Sequence, residues 1–169
     1  GVVSLPFEEA AARVREELAR EGFGILTEID IQSTLKAKLD VDFRPYLILG
    51  ACNPPFAHRA LSAEPDIGAL LPCNVVVQGG DEPGKTVLSA MDPEAVLSLV
   101  ENEDVGPLAR EVRERIWRAL TRVVEDGGNV NDAWLALQRD VSGRTSDHAR
   151  LVARAEITGQ RLGHLRLAR

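Results

Sequence analysis

A chain of 169 residues, 44% apolar and 27% charged, has the make-up of a soluble globular protein and can bury roughly two thirds of its unfolded surface without staples. Its formal charge of −6 is uneven: residues 127–169 hold seven arginines and four acids, +3, which leaves −9 on residues 1–126, and an acidic body is a poor binder of phosphate, so no nucleic-acid partner is expected. No apolar run approaches the roughly 20 residues of a membrane span, no signal peptide precedes the first helix, and two cysteines cannot form a framework, so a cytoplasmic, reducing compartment and no membrane partner are expected.

In chain order, Val2 to Leu5 reads as a short strand, and because Gly1 lies inside it, a segment upstream is expected to be missing. Pro6 suits a first helical turn, and Phe7, Ala10, Ala11, Val14 and Leu18 recur on one face, which predicts a helix over 6–21. Glu9 with Arg13 and Glu16 with Arg20 are i,i+4 pairs on its solvent side, and Gly22 is the C-cap. The period then changes from 3.6 to 2. Phe23, Ile25, Thr27, Ile29 and Ile31 fall on one face of a strand, with Leu26, Glu28 and Asp30 on the other. Glu28 and Asp30 are thereby a candidate acid/base or metal pair, although charges on an exposed sheet face ordinarily serve solubility.

Ser33 is the expected N-cap of a short helix reaching Leu39, and residues 40–45 form a loop. Tyr46 to Cys52 is a strand with Tyr46, Ile48, Gly50 and Cys52 on one face. Asn53 followed by Pro54 and Pro55 starts a helix that runs to about Ala63. Leu70 to Gln78 is a third, Val-rich strand.

Residues 79–86 match the phosphate-loop pattern G-x-x-x-x-G-K-[ST]. A phosphate loop must open a helix, however, and Thr86 to Met91 is short, β-branched at its start and stopped by Asp92-Pro93, while Asp81 and Glu82 would oppose a polyphosphate. Residues 79–84 are therefore expected to be a hairpin turn between strands 70–78 and 85–91. Asp92 caps a helix over about 93–101. Pro107 opens a longer helix with a stripe of Leu108, Val112, Ile116, Ala119, Leu120 and Val123, expected as the lid for the open face of the sheet and ending at Gly127-Gly128. Beyond it, Val130, Trp134, Leu137 and Val141 keep helical spacing behind Asn131, so 131–141 carries an apolar face in search of a partner surface. The domain division expected is 1–126 with an Arg-rich extension over 127–169.

Six segments also carry a resemblance: residues 4–9, 22–30, 43–46, 50–54, 71–74 and 89–93. Over about residues 1–124 the chain resembles the family known as domain of unknown function 302. That resemblance implies a two-layer α+β fold of the TATA-binding-protein-like type, with helices on one face of a mainly antiparallel sheet, commonly as a homodimer. It assigns no activity, substrate or catalytic residue, and the extended C-terminus departs from the family pattern.

The chemistry-bearing stretch is residues 47–58 with its echo at 70–77, each joining an apolar strand to a Cys-Asn pair. Cys52 precedes a helix N-terminus, where the dipole and free amides stabilise a thiolate. Cys52, His58 and Cys73 form a candidate zinc set with one position open, and Asn53 and Asn74 complete a candidate ligand pocket. The spacing is that of no compact zinc motif, and the ordinary explanation is that free cysteines pack as small hydrophobes while Asn53 caps. Three readings stand: a small-ligand or metal domain at Cys52, His58 and Cys73; a thiol enzyme for redox or sulfur transfer using Cys52; and a non-catalytic dimeric interaction module. The first alone uses both Cys-Asn segments and the intervening histidine.

Overall fold

Alternation of inward residues on neighbouring strands sets the layer plan. The structure, a computed structural model, describes residues 1–127. Five strands, β1 (Val2–Val3), β2 (Gly24–Asp30), β3 (Tyr46–Cys52), β4 (Cys73–Gly79) and β5 (Thr86–Ala90), form one antiparallel sheet in the order β1-β5-β4-β3-β2. Leu47, Leu49 and Ala51 of β3 stand opposite Val77, Val75 and Cys73 of β4, and all six are buried. Helices α1 (Phe7–Arg20) and α5 (Val105–Asp126) cover this face. Their 3.6-residue stripes, Ala10, Val14 and Leu18 on α1 and Leu108, Val112, Ile116, Leu120 and Val123 on α5, meet the strands in a single core. Each fully buried leucine or valine contributes about 1.5–3 kcal/mol of transfer free energy. The fold is thus the expected two-layer α+β arrangement.

Between the two helices lies an ionic clamp. Glu17 has no exposure at all and is met by Arg20 and Arg122, each at 2.6 Å, while Glu21 is held by Arg118 at 3.0 Å and Arg122 at 2.7 Å. The expected Glu16–Arg20 pair is present at 2.7 Å. Arg13 turns instead to Glu16 at 2.8 Å and to Asp126 of α5. Gly22, at φ +84°, closes α1 with its amide on the Ala19 carbonyl, as a left-handed C-terminal glycine does.

Several local expectations are corrected. The alternation foreseen along β2 is broken by a register shift between Ile25 and Thr27: Ile25 pairs with Ala51 on the helix side, whereas Thr27 and Ile29 pair with Gly50 and Ile48 on the other. Glu28 therefore points to the helix side, where Arg15 binds it at 2.7 Å, and Asp30 caps α2 (Ile31–Leu39) by accepting the Ser33 amide. The two carboxylates are engaged separately and form no acid/base pair, and the cap of α2 is Asp30, not Ser33. Residues 65–70, the last of them expected in a strand, form a 3-10 turn before β4. Helix α4 is short (Pro93–Leu97), held by Asp92 accepting from the Glu94 and Ala95 amides, and α5 begins at Val105 with Pro107 in its first turn. The stretch matching a phosphate loop leads into strand β5, as the hairpin expectation requires. Finally, α5 lies beside α1 on the same side of the sheet, and among the described residues no helix of the core covers the opposite face, called the uncovered face below. The expected helix at 131–141 lies outside the described residues.

Candidate functional site

The two Cys-Asn segments are adjacent in the sheet, but pleating separates their thiols. Ala51 stands opposite Cys73, so Cys73 shares the helix-side face and is buried. Cys52, one residue on, projects to the uncovered face and is half-buried. His58 is on the exposed side of α3 (Pro54–Ala63), whose inward residues are Phe56 and Ala60. The three candidate zinc ligands thus occupy three environments: core, open sheet face and solvent over the helix layer. Among the described residues, no group of three or more His, Cys, Asp and Glu side chains is placed to hold a metal ion. The expected convergence fails because strand side chains alternate while β3 and β4 pair in this register.

The thiolate argument is corrected on the same ground. Burial pushes the Cys52 thiol up from its ordinary range, and burial, with the charge of the nearby Cys52 adding to it, pushes Cys73 up to about 12. The start of α3 offers little to offset this, because Pro54 and Pro55 carry no amide hydrogen and the Ala57 amide is already used on the Asn53 carbonyl. Asn53 is no side-chain cap either: buried, it donates to the Glu21 carbonyl at 3.3 Å, and a Cβ at Gly22 would sit 2.8 Å from its Nδ2. It clasps the α1–β2 turn to the start of α3. Its Oδ1 is buried without a partner among the described residues. Asn74 is exposed opposite Gly50 on the uncovered face, which it shares with Cys52.

Comparison with known proteins places this sheet and its one-sided helices in a family. The model of the domain of unknown function DUF302 matches residues 2–123. The chain belongs to the DUF302 family. A solved structure, that of an uncharacterized conserved protein DUF302 from Bacillus stearothermophilus, is similar to it at 31% identity and a TM-score of 0.67, covering 73% of this chain and 94% of that one. No curated protein matches the chain.

In this DUF302 domain a sheet with helices on one face was expected, and the feature that sequence reasoning missed is the uncharged character of the other face. Its central rows are Ile29, Ile48, Val76 and Ser89, then Tyr46, Gln78, Val87 and Val2, then Thr27, Gly50 and Asn74, with Cys52 beyond. None of these residues is charged, in a chain of which 27% is charged. An exposed sheet face ordinarily carries Lys, Glu and Thr in alternation. The signal lay in the polar slots of β3 to β5, which hold Ile, Val, Tyr, Gln, Asn and Ser where charges were expected. Leu26 is exposed at the register shift of β2, and the exposed apolar residues Leu39, Val41 and Phe43 lie at and just beyond the end of α2. There a shallow groove of about 480 Å³ lies between α2 and residues 41–43, lined by Gln32, Ser33, Lys36 and Phe43 among others, and none of the candidate site residues borders it. Among the described residues no helix is long and apolar enough to cross a membrane.

Proposed function

We propose that this DUF302 domain is a non-catalytic self-association module whose working surface is the uncovered sheet face, with a second copy of the chain as the occupant. The observation that carries the reading is the absence of any charged side chain across that face. A surface kept in water has no reason to exclude lysine and glutamate, whereas a surface buried against a partner would have to desolvate them. Size supports the same reading. Strands spaced about 4.8 Å apart and up to seven residues long at about 3.3 Å each outline a face of roughly 400–500 Å². Side-chain relief enlarges that toward the roughly 800 Å² per partner of a standard interface. Two such faces packed together form a β-sandwich interface in which Ile48 and Val76 lie at the centre.

The test is sedimentation equilibrium of the full chain with Val76→Glu and, separately, Ile48→Glu. Both positions face outward, so the fold tolerates the change, and a buried pair of like charges at the centre is expected to shift the dimer to monomer. A dimer that survives both substitutions removes the reading.

A further inference from the structure

Helix α2 contributes nothing to the core: none of its nine residues is buried against the rest of the described chain. Ile31, Leu35 and Leu39 follow one another at i,i+4 spacing and make one apolar stripe, of which the first two are half-buried while Leu39 is 66% exposed. Asp40, in the left-handed region at φ +52°, then turns the chain, and the Gln32 side chain donates to the Phe43 carbonyl at 2.7 Å. Val41 and Phe43 are thereby held beside the helix with 45% and 41% of their surface exposed. A helix this short is marginal in water and draws its stability from packing an apolar face. The exposed ion pairs of Lys36 with Asp40 at 2.8 Å and with Asp42 at 3.0 Å supply little of that. Of the seven large apolar side chains exposed among the described residues, three fall within positions 39–43, so the surface that α2 lacks a partner for is concentrated here.

We propose that residues 31–45 are an arm that packs on a second copy of the chain when two uncovered faces meet, with Leu39, Val41 and Phe43 as its contact residues; this rests on the reading of that face as the self-association surface. Continuity argues for the second copy as the occupant. The Phe43 ring lies 6.1 Å from the ring of Tyr46, which stands on the uncovered face opposite Gln78 where β3 begins. Area argues the same way. The strands outline roughly 400–500 Å² against the roughly 800 Å² per partner of a standard interface, and the arm brings further apolar surface to the end of the same face. A two-fold interface uses the same patch on both copies, so one association event covers both arms. Assembly thereby supplies the packing that α2 lacks in a single copy, and the protection of α2 reports the state of assembly.

The full chain tests this in two measurements. In sedimentation equilibrium, Leu39→Asp combined with Phe43→Glu is expected to weaken self-association at least tenfold; association equal to the parent's overturns the arm. In hydrogen exchange, amides within residues 33–43 are expected to exchange at least tenfold faster on dilution from dimer to monomer, and Val76→Glu is expected to give the fast rate at every concentration. Rates over 33–43 that stay constant while the dimer dissociates also overturn the arm, because its support then lies within one chain. A dimer that survives both Val76→Glu and Ile48→Glu overturns the reading of the face instead, so the two failures are separate.

Discussion

Glu17 of α1 and Arg122 of α5 meet at 2.6 Å, and the carboxylate is wholly removed from solvent. Arg20 takes its other oxygen at 2.6 Å, so the buried charge is answered from both helices. Glu17→Gln keeps the shape and removes the charge, leaving the guanidinium groups without their counter-ion. Breaking a fully buried pair costs roughly 3–5 kcal/mol; here Arg122 and Arg20 keep part of their hydration, which lowers the expected loss to about 2–3 kcal/mol. Urea unfolding should show a lower midpoint at constant slope. A midpoint equal to that of the parent would mean the clamp contributes nothing net.

Glu21, beside it, gives the acid limb of stability. The hydrogen bond from Arg118 holds its carboxyl below the usual range, Arg122 adds to this, and partial burial works against both. A carboxylate depressed in the folded state holds fewer protons folded than unfolded. Its contribution is therefore complete above the unfolded value, about 4.3, and drains away as pH falls through the lower folded value. The stability gap between the parent and Glu21→Gln is expected to be full at pH 7 and to narrow below about pH 4. A gap that stays constant down to pH 2 would remove Glu21 from the acid response.

The elements whose periodicity was unbroken were legible in the sequence: the stripe of α1, the stripe of α5 and the alternation of β3 all stand as the spacing predicts. Legibility failed where one residue changed the phase. The shift between Ile25 and Thr27 reverses the faces of β2, and no composition signal marks it. Asp30 took the cap expected of Ser33 because both are good N-caps three residues apart, and the winner depends on where β2 ends. The grouping of Cys52, His58 and Cys73 was illegible for a pairing reason. Cys52 and Cys73 recur in like sequence contexts, yet the register sets Ala51, not Cys52, opposite Cys73. Sequence likeness gives strand adjacency; only register gives the face.

Gly50 is fixed by its neighbours on the uncovered face. A Cβ there would collide with the Thr27 hydroxyl and lie 2.6 Å from Pro72 Cγ. Gly50→Ala is expected to lower stability by about 1–3 kcal/mol through forced displacement of β2 or the Pro72 turn. Adding Thr27→Ala should return part of the loss and not all of it, because Pro72 stays in place. Thermal unfolding of the two variants checks this, and a Gly50→Ala melting temperature equal to the parent's would contradict the packing.

The thiols offer a direct reading of which face each strand residue occupies. Cys73, buried and pushed up to about 12, is expected to stay unmodified by a thiol reagent at pH 7 until denaturant is added. Cys52, half-buried on the uncovered face with its thiol also pushed up, should react in the native protein, more slowly than a free cysteine at the same pH. Native protein thus releases one equivalent of chromophore and denatured protein two, in agreement with its two cysteines. Because the sulfurs project to opposite faces and His58 to a third environment, one equivalent of Zn²⁺ is expected to leave both the melting temperature and the Cys52 rate unchanged. Protection of both thiols by zinc, with a raised melting temperature, would require β3 and β4 to pair one residue out of the register found here, since only such a slip turns both sulfurs to one side.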